Sequence, residues 1–172
     1  GLMPKVAGVA RPAGQSGVLA RHWAIYASPR MAAPAMGFVC YSVTYVAVLT
    51  LLPAVVTPGW GHLAGIAMPL ISIAVSLTLG VWLLSHLPAF RLVQWGFGAA
   101  ILASLGLWLA WGSGLPEAVF ACGLAAALGI VQGASFASIP QLNAADADRA
   151  GAAGAIAQLG NLGTTTGTPL LA

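Results

Sequence analysis

The chain alternates long apolar runs with short polar breaks. From Met31 to Phe90 there is no Asp, Glu, Lys or Arg, a stretch far longer than the roughly 20 apolar residues that cross a bilayer as one helix. Its middle holds Thr57-Pro58-Gly59-Trp60-Gly61-His62, where proline and glycine mark a turn. The run is therefore a helical hairpin, with spans expected at 32–56 and 63–87. A third span is expected at 92–112, ending at Gly112-Ser113-Gly114-Leu115-Pro116 with Glu117 just beyond. A fourth, at 118–141, stops at Pro140-Gln141-Leu142-Asn143. The polar patch Asp146-Ala147-Asp148-Arg149 follows, and either aspartate is placed to cap the next helix, expected at 150–172. The predicted fold is an all-α, polytopic transmembrane bundle of about five spans. Pro53, Pro69 and Pro169 fall inside spans, where each removes a backbone hydrogen bond and favours a bend.

Composition excludes a soluble domain. Hydrophobic residues make up 59% of the chain and charged residues 5%, against about 25% charged in an ordinary soluble domain; mean hydropathy is +0.92. The net charge of +3 comes from scattered cations rather than a dense patch, so the bilayer is the expected partner and nucleic acid is not. Lys5, Arg11, Arg21 and Arg30 precede the first span, Arg91 lies between the second and third, and Arg149 between the fourth and fifth. With alternating spans all six fall on one side. The positive-inside rule then makes residues 1–30 a cytoplasmic basic loop and the protein a multi-pass component of the cytoplasmic (inner) membrane. Trp60, Trp108 and Trp111 fall near outer span ends, Trp23 and Trp95 near inner ones, as amphipathic rings do. Within the basic stretch Leu19, Trp23 and Tyr26 recur at helical spacing, so it reads either as a short interfacial helix or as a loop. Cys40 and Cys122 sit in apolar runs without metal-site or disulfide spacing. The chain opens on Gly1 and stops at Leu170-Leu171-Ala172 inside an apolar segment, and so reads as a fragment of a longer protein.

No catalytic motif is visible, and no enzyme activity, cofactor or metal is expected. His22, His62 and His86 fall at span boundaries, as does Glu117, so no carboxylate is expected within the bundle. The remaining chemistry is uncharged. Tyr41 and Tyr45, four residues apart, share a helix face. Gln132 lies in the fourth span; Gln158, Asn161 and Thr164-Thr165-Thr166 lie in the fifth. Amides in hydrocarbon need partners. Tyr41, Tyr45, Gln132, Gln158 and Asn161 therefore either line a solute cavity or bond neighbouring helices. Small residues recur at four-residue spacing, the pattern that lets membrane helices approach closely. The stripes are Ser72, Ser76 and Gly80; Gly96, Ala100 and Ser104; and Ala125, Gly129, Gly133 and Ala137. Gly160, Gly163 and Gly167 form a fourth.

The stretch from Ser28-Pro29-Arg30 to Gly37-Phe38, the hairpin closing from Gly80 to Arg91, and the glycine-rich Arg149–Gly167 segment together resemble the C-terminal half of a major facilitator superfamily (MFS) transporter. The resemblance covers nearly the whole chain and implies helices seven to eleven of a twelve-helix protein. The N-terminal half and the last helix would be missing partners of the same chain. Gly80 and Arg91 match part of that family's loop between the second and third helices of each half, although Leu84-Ser85-His86 supplies no Asp. Asp148 and Arg149, with Gly151 and Gly154, are similar to its tenth-to-eleventh junction. The implied function is secondary-active transport of a small solute by alternating access, with efflux favoured by the aromatic candidate lining. Spans one, two, four and five would line the cavity. The alternative reading is a permease subunit or non-transporting scaffold of a larger complex.

Overall fold

The computed structural model describes residues 17–172; Lys5 and Arg11 lie outside the described residues. All regular structure within them is helical: α1 (Val18–Ala27), α2 (Pro29–Val55), α3 (Gly61–Leu84), α4 (Ala89–Leu109), α5 (Leu115–Leu142) and α6 (Asp146–Leu171). The basic stretch thus contributes a helix rather than only a loop. It projects Leu19 and Trp23 outward, 85% and 78% exposed.

The breaks follow from local chemistry. Pro29 begins α2 in the first turn, where a missing N–H costs nothing. Pro58 disfavours a helical Thr57, and Gly59 turns the chain with a φ of +92°. Gly112 and Gly114 likewise take positive φ between α4 and α5, a conformation open to glycine. Pro88 ends the α3–α4 connection in extended geometry. Neither Asp146 nor Asp148 caps α6 through its side chain: Ala145 occupies the cap position, and Asp146 instead accepts from Arg149 at 3.2 Å. Both aspartates lie in the first turn, where they still complement the helix dipole.

α2, α3, α4 and α5 are each long and apolar enough to cross a membrane. At 1.5 Å per residue they extend about 31–42 Å, so the protein is a membrane-embedded helical bundle. α6 has 26 residues but is not among the four, because Gln158, Asn161 and its threonines dilute the apolar content.

α5 is the hub. Half of its apolar window is buried, against 17–28% for the other three. It meets α4 on one flank, α3 on another and α2 on a third, through Ala121, Leu124, Ala125, Leu128 and Val131. With no hydrophobic drive between helices in lipid, close approach of small residues must hold them, and the geometry shows where it does. α3 and α5 run parallel, with Ser72 against Gly129 and Ser76 against Gly133. A methyl group on Gly129 would fall 2.3 Å from the Ser72 carbonyl oxygen, and one on Gly133 would fall 2.9 Å from Ser76 Oγ. α4 lies antiparallel to α5, Gly96 beneath Val131 and Gly106 beneath the Phe120 ring. The most extensive pairing joins α2 and α6, which run parallel: Gly160 meets Phe38, Gly163 meets Ser42, and Gly167 approaches the Val43 carbonyl.

Gly80 lies inside α3, in a π-helical segment at Ser76–Gly80, within the span expected at 63–87. Five prolines are tolerated in helices, at Pro34, Pro53, Pro69, Pro140 and Pro169. The π segment follows Pro69, and such segments widen a helix where the ladder is disturbed.

Backbone ends are stitched by side chains at the end carrying the arginines. Asn143 Nδ2 donates to the Arg30 carbonyl at 3.2 Å, Arg149 Nε donates to the Asn143 carbonyl at 2.9 Å, and the Ala89 N–H donates to Gln141 Oε1 at 2.7 Å. The last bond satisfies an orphan donor at the start of α4. Gln141→Leu should therefore destabilise the fold by about 1 kcal/mol, read as a lower unfolding midpoint in detergent, whereas Gln94→Leu on the exposed flank of α4 should leave it unchanged.

Candidate functional site

A cleft of about 340 Å³ opens between α2, α5 and α6, near the midpoint of α2. Tyr41, Tyr45, Gln132 and Asn161 all line it, with Phe38, Phe136, Ser42 and Thr164. The spacing of Tyr41 and Tyr45 puts their rings one above the other, centroids 5.1 Å apart and planes at 22°. Phe38 packs on Tyr41 at 5.2 Å and meets Phe136 edge-on at 5.1 Å, joining the aromatic surfaces of α2 and α5. Gly160 brings α6 near: a Cβ there would strike Phe38 at 2.6 Å, and this closeness places Asn161 opposite the tyrosines.

Two classes of polar group line the cleft. Ser42 and Thr164 donate to carbonyls one turn back, Phe38 and Gly160, the usual resolution for hydroxyls on a helix in apolar surroundings. Thr165 and Thr166 do the same. The Tyr41 and Tyr45 hydroxyls and the Gln132 and Asn161 amides take no such partner among the described residues and open onto the cleft. Two amides and two phenols, each able to donate and accept, therefore converge unpaired on one space. No charged side chain lines it. Elsewhere the bundle exposes large apolar side chains, as with Ile66, Leu70, Ile73 and Leu77 on α3 and Ile101, Leu102, Leu105 and Trp108 on α4.

Gln158 is not part of this lining. It lies nearer the start of α6, where α1 folds back, and its Oε1 accepts from the Tyr26 hydroxyl at 2.9 Å. Gly129, Gly133 and Gly163 sit at helix contacts rather than in the cleft lining, whereas Gly160 borders the cleft where it meets Phe38. Arg91 is exposed in the first turn of α4, 5.9 Å from the Phe90 ring centroid, and Asp148 is exposed at the start of α6.

Glu117 corrects an expectation. Its place at the edge of an apolar run put it at the outer boundary and outside the bundle, yet it is only 1% exposed. The α2–α3 turn folds over it: the Thr57 N–H donates to Oε2 at 3.2 Å and the Thr57 hydroxyl at 2.5 Å. Oε1 has no partner among the described residues. The signal in the sequence is weak, because the partner lies sixty positions away. Glu117 is at the end of the bundle opposite the arginines and does not line the cleft.

No family model matches the chain, and no curated protein and no solved structure matches it.

Proposed function

We propose that the protein is a secondary-active transporter that moves a small solute across the cytoplasmic membrane by alternating access, built like the C-terminal half of an MFS protein. The observation that carries this reading is the cleft. Polar groups without partners are costly in a membrane, and here they gather on one flank, at mid-depth, where a solute would replace them as partner. The lining helices α2, α5 and α6 correspond to three of the four spans that the family resemblance assigns to a cavity. The aromatic walls favour efflux of amphipathic solutes over import of strongly hydrated ones.

In this reading α6 is a fifth span. It runs parallel to α2 along the Phe38–Thr50 stretch, with Thr168 Oγ1 3.0 Å from Thr50 Oγ1, so a membrane-spanning α2 carries α6 to the same depth. The arginine-bearing end is then cytoplasmic. In a background with Cys40 and Cys122 changed to Ser, Ser113→Cys should react with a membrane-impermeant thiol reagent only from outside the cell, and Ala144→Cys only from inside. The functional test is gradient-dependent solute uptake by proteoliposomes holding the full-length protein. Uptake abolished by collapsing the ion gradient supports transport; none with any solute class supports a scaffold.

A further inference from the structure

We infer that the α2–α5–α6 cleft binds an uncharged, planar heterocycle or aromatic amide that presents adjacent hydrogen-bond donors and acceptors. This deepens the transporter reading and rests on it.

The argument starts from charge. Arg21 is exposed on α1, and the other described charged side chains lie at helix ends: Arg30 and Arg91 in first turns, Asp146, Asp148 and Arg149 at the start of α6, and Glu117 under the α2–α3 turn. None reaches the cleft lining. An anion there would leave water with no cation or helix N-terminus to receive it, and α2, α5 and α6 all pass the cleft at mid-helix. A cation would find ring faces, which attract it, but no carboxylate to offset its desolvation. An uncharged solute suffers neither loss.

Shape and edge chemistry narrow the class. The Tyr41–Tyr45 stack, with Phe38 and Phe136 meeting edge to face beside it, lines the cleft with aromatic surface, on which a planar ring gains contact without needing a particular sequence of substituents. Gln132 on α5 and Asn161 on α6 reach the cleft from different helices, and each amide offers a donor beside an acceptor. Such an amide pairs with a complementary donor–acceptor edge, as asparagine and glutamine do with the edge of adenine. The cleft volume of about 340 Å³ is at the small end of ligand sites, roughly 300–1,000 Å³, so it suits one or two rings.

One ring in three charge states tests this: nicotinamide (uncharged), nicotinate (anion) and 1-methylnicotinamide (cation), measured by equilibrium dialysis against the purified full-length protein. Nicotinamide should bind at least about tenfold tighter than either ion, and Tyr45→Leu or Asn161→Leu should weaken it about tenfold. Asn161 is exposed, and at half-buried Tyr45 leucine keeps an apolar contact with Tyr41 and the core behind it, so circular dichroism should be unchanged. Binding of nicotinate or of the cation that is equal or tighter, and lost in Asn161→Leu, would overturn the uncharged class while leaving the cleft a solute site. A companion measurement covers the case in which none of the three binds. Asn161→Cys, in the background lacking Cys40 and Cys122, is exposed to a small impermeant thiol reagent. Reaction without binding overturns the heterocycle class alone; no reaction, with no binding, overturns the cleft as a water-filled solute path as well.

Discussion

Gly129→Ala should lower the stability of the bundle by about 2 kcal/mol, the cost of forcing one methyl group into a packed contact. The added carbon would sit 2.3 Å from the Ser72 carbonyl oxygen and 2.7 Å from Ser72 Oγ. Backbone cannot swing aside as the end of a side chain can, so α3 and α5 must separate, and α5 contacts every other long helix. The same substitution at Gly154 meets nothing within 4 Å and should stabilise α6 by about 0.5–1 kcal/mol, since alanine is the better helix former. One chemical change with opposite signs at two sites is a demanding test. Unfolding by SDS in mixed micelles, followed by circular dichroism, reads both; a loss at Gly154 equal to that at Gly129 would mean that helix contact is not the cause.

Glu117→Ala should cost about 2–3 kcal/mol, the range for losing hydrogen bonds to a carboxyl group at a buried site. The Thr57 N–H and hydroxyl would lose their partner together. Glu117→Gln keeps a side-chain oxygen for Thr57 and should retain most of the stability. Thr57→Val should be damaging alone but add little to Glu117→Ala, because the two groups act on each other and coupled sites are not additive. Full additivity in that double-mutant cycle would show that Glu117 stabilises by some route other than the α2–α3 turn.

Much of the architecture was legible because lipid imposes a simple rule: apolar length makes a helix, and Gly or Pro between runs makes a turn. The break at Pro58-Gly59 and the breaks at Gly112 and Gly114 lie where composition put them, and the helices begin and end within a few residues of the expected spans. Small-residue stripes were equally visible, but a stripe states only that something comes close. That Ser72 and Ser76 mesh with Gly129 and Gly133, while Gly160 and Gly163 turn to α2, depends on three-dimensional order that periodicity does not contain. The same holds for the polar residues. The four-residue spacing of Tyr41 and Tyr45 dictates their stack, whereas nothing local separates Asn161, which lines the cleft, from Gln158, three positions earlier, which Tyr26 claims. Glu117 is the clearest case: its local sequence looks like a boundary, and its burial is decided by a turn from another hairpin.

The helix pair with the most extensive contact, α2 and α6, is also widely separated in sequence, and this has a consequence for biosynthesis. Phe38, Ser42 and Val43 leave the ribosome long before Gly160, Gly163 and Gly167 exist. At ordinary elongation rates the interval is about 6–23 s. Throughout it, α2 stands in the bilayer with its α6-binding face covered only by lipid or by whatever chaperones insertion, while α3, α4 and α5 assemble around its other side. α6 is therefore the helix that covers this face of α2, and the nascent bundle stands half closed until α6 is made.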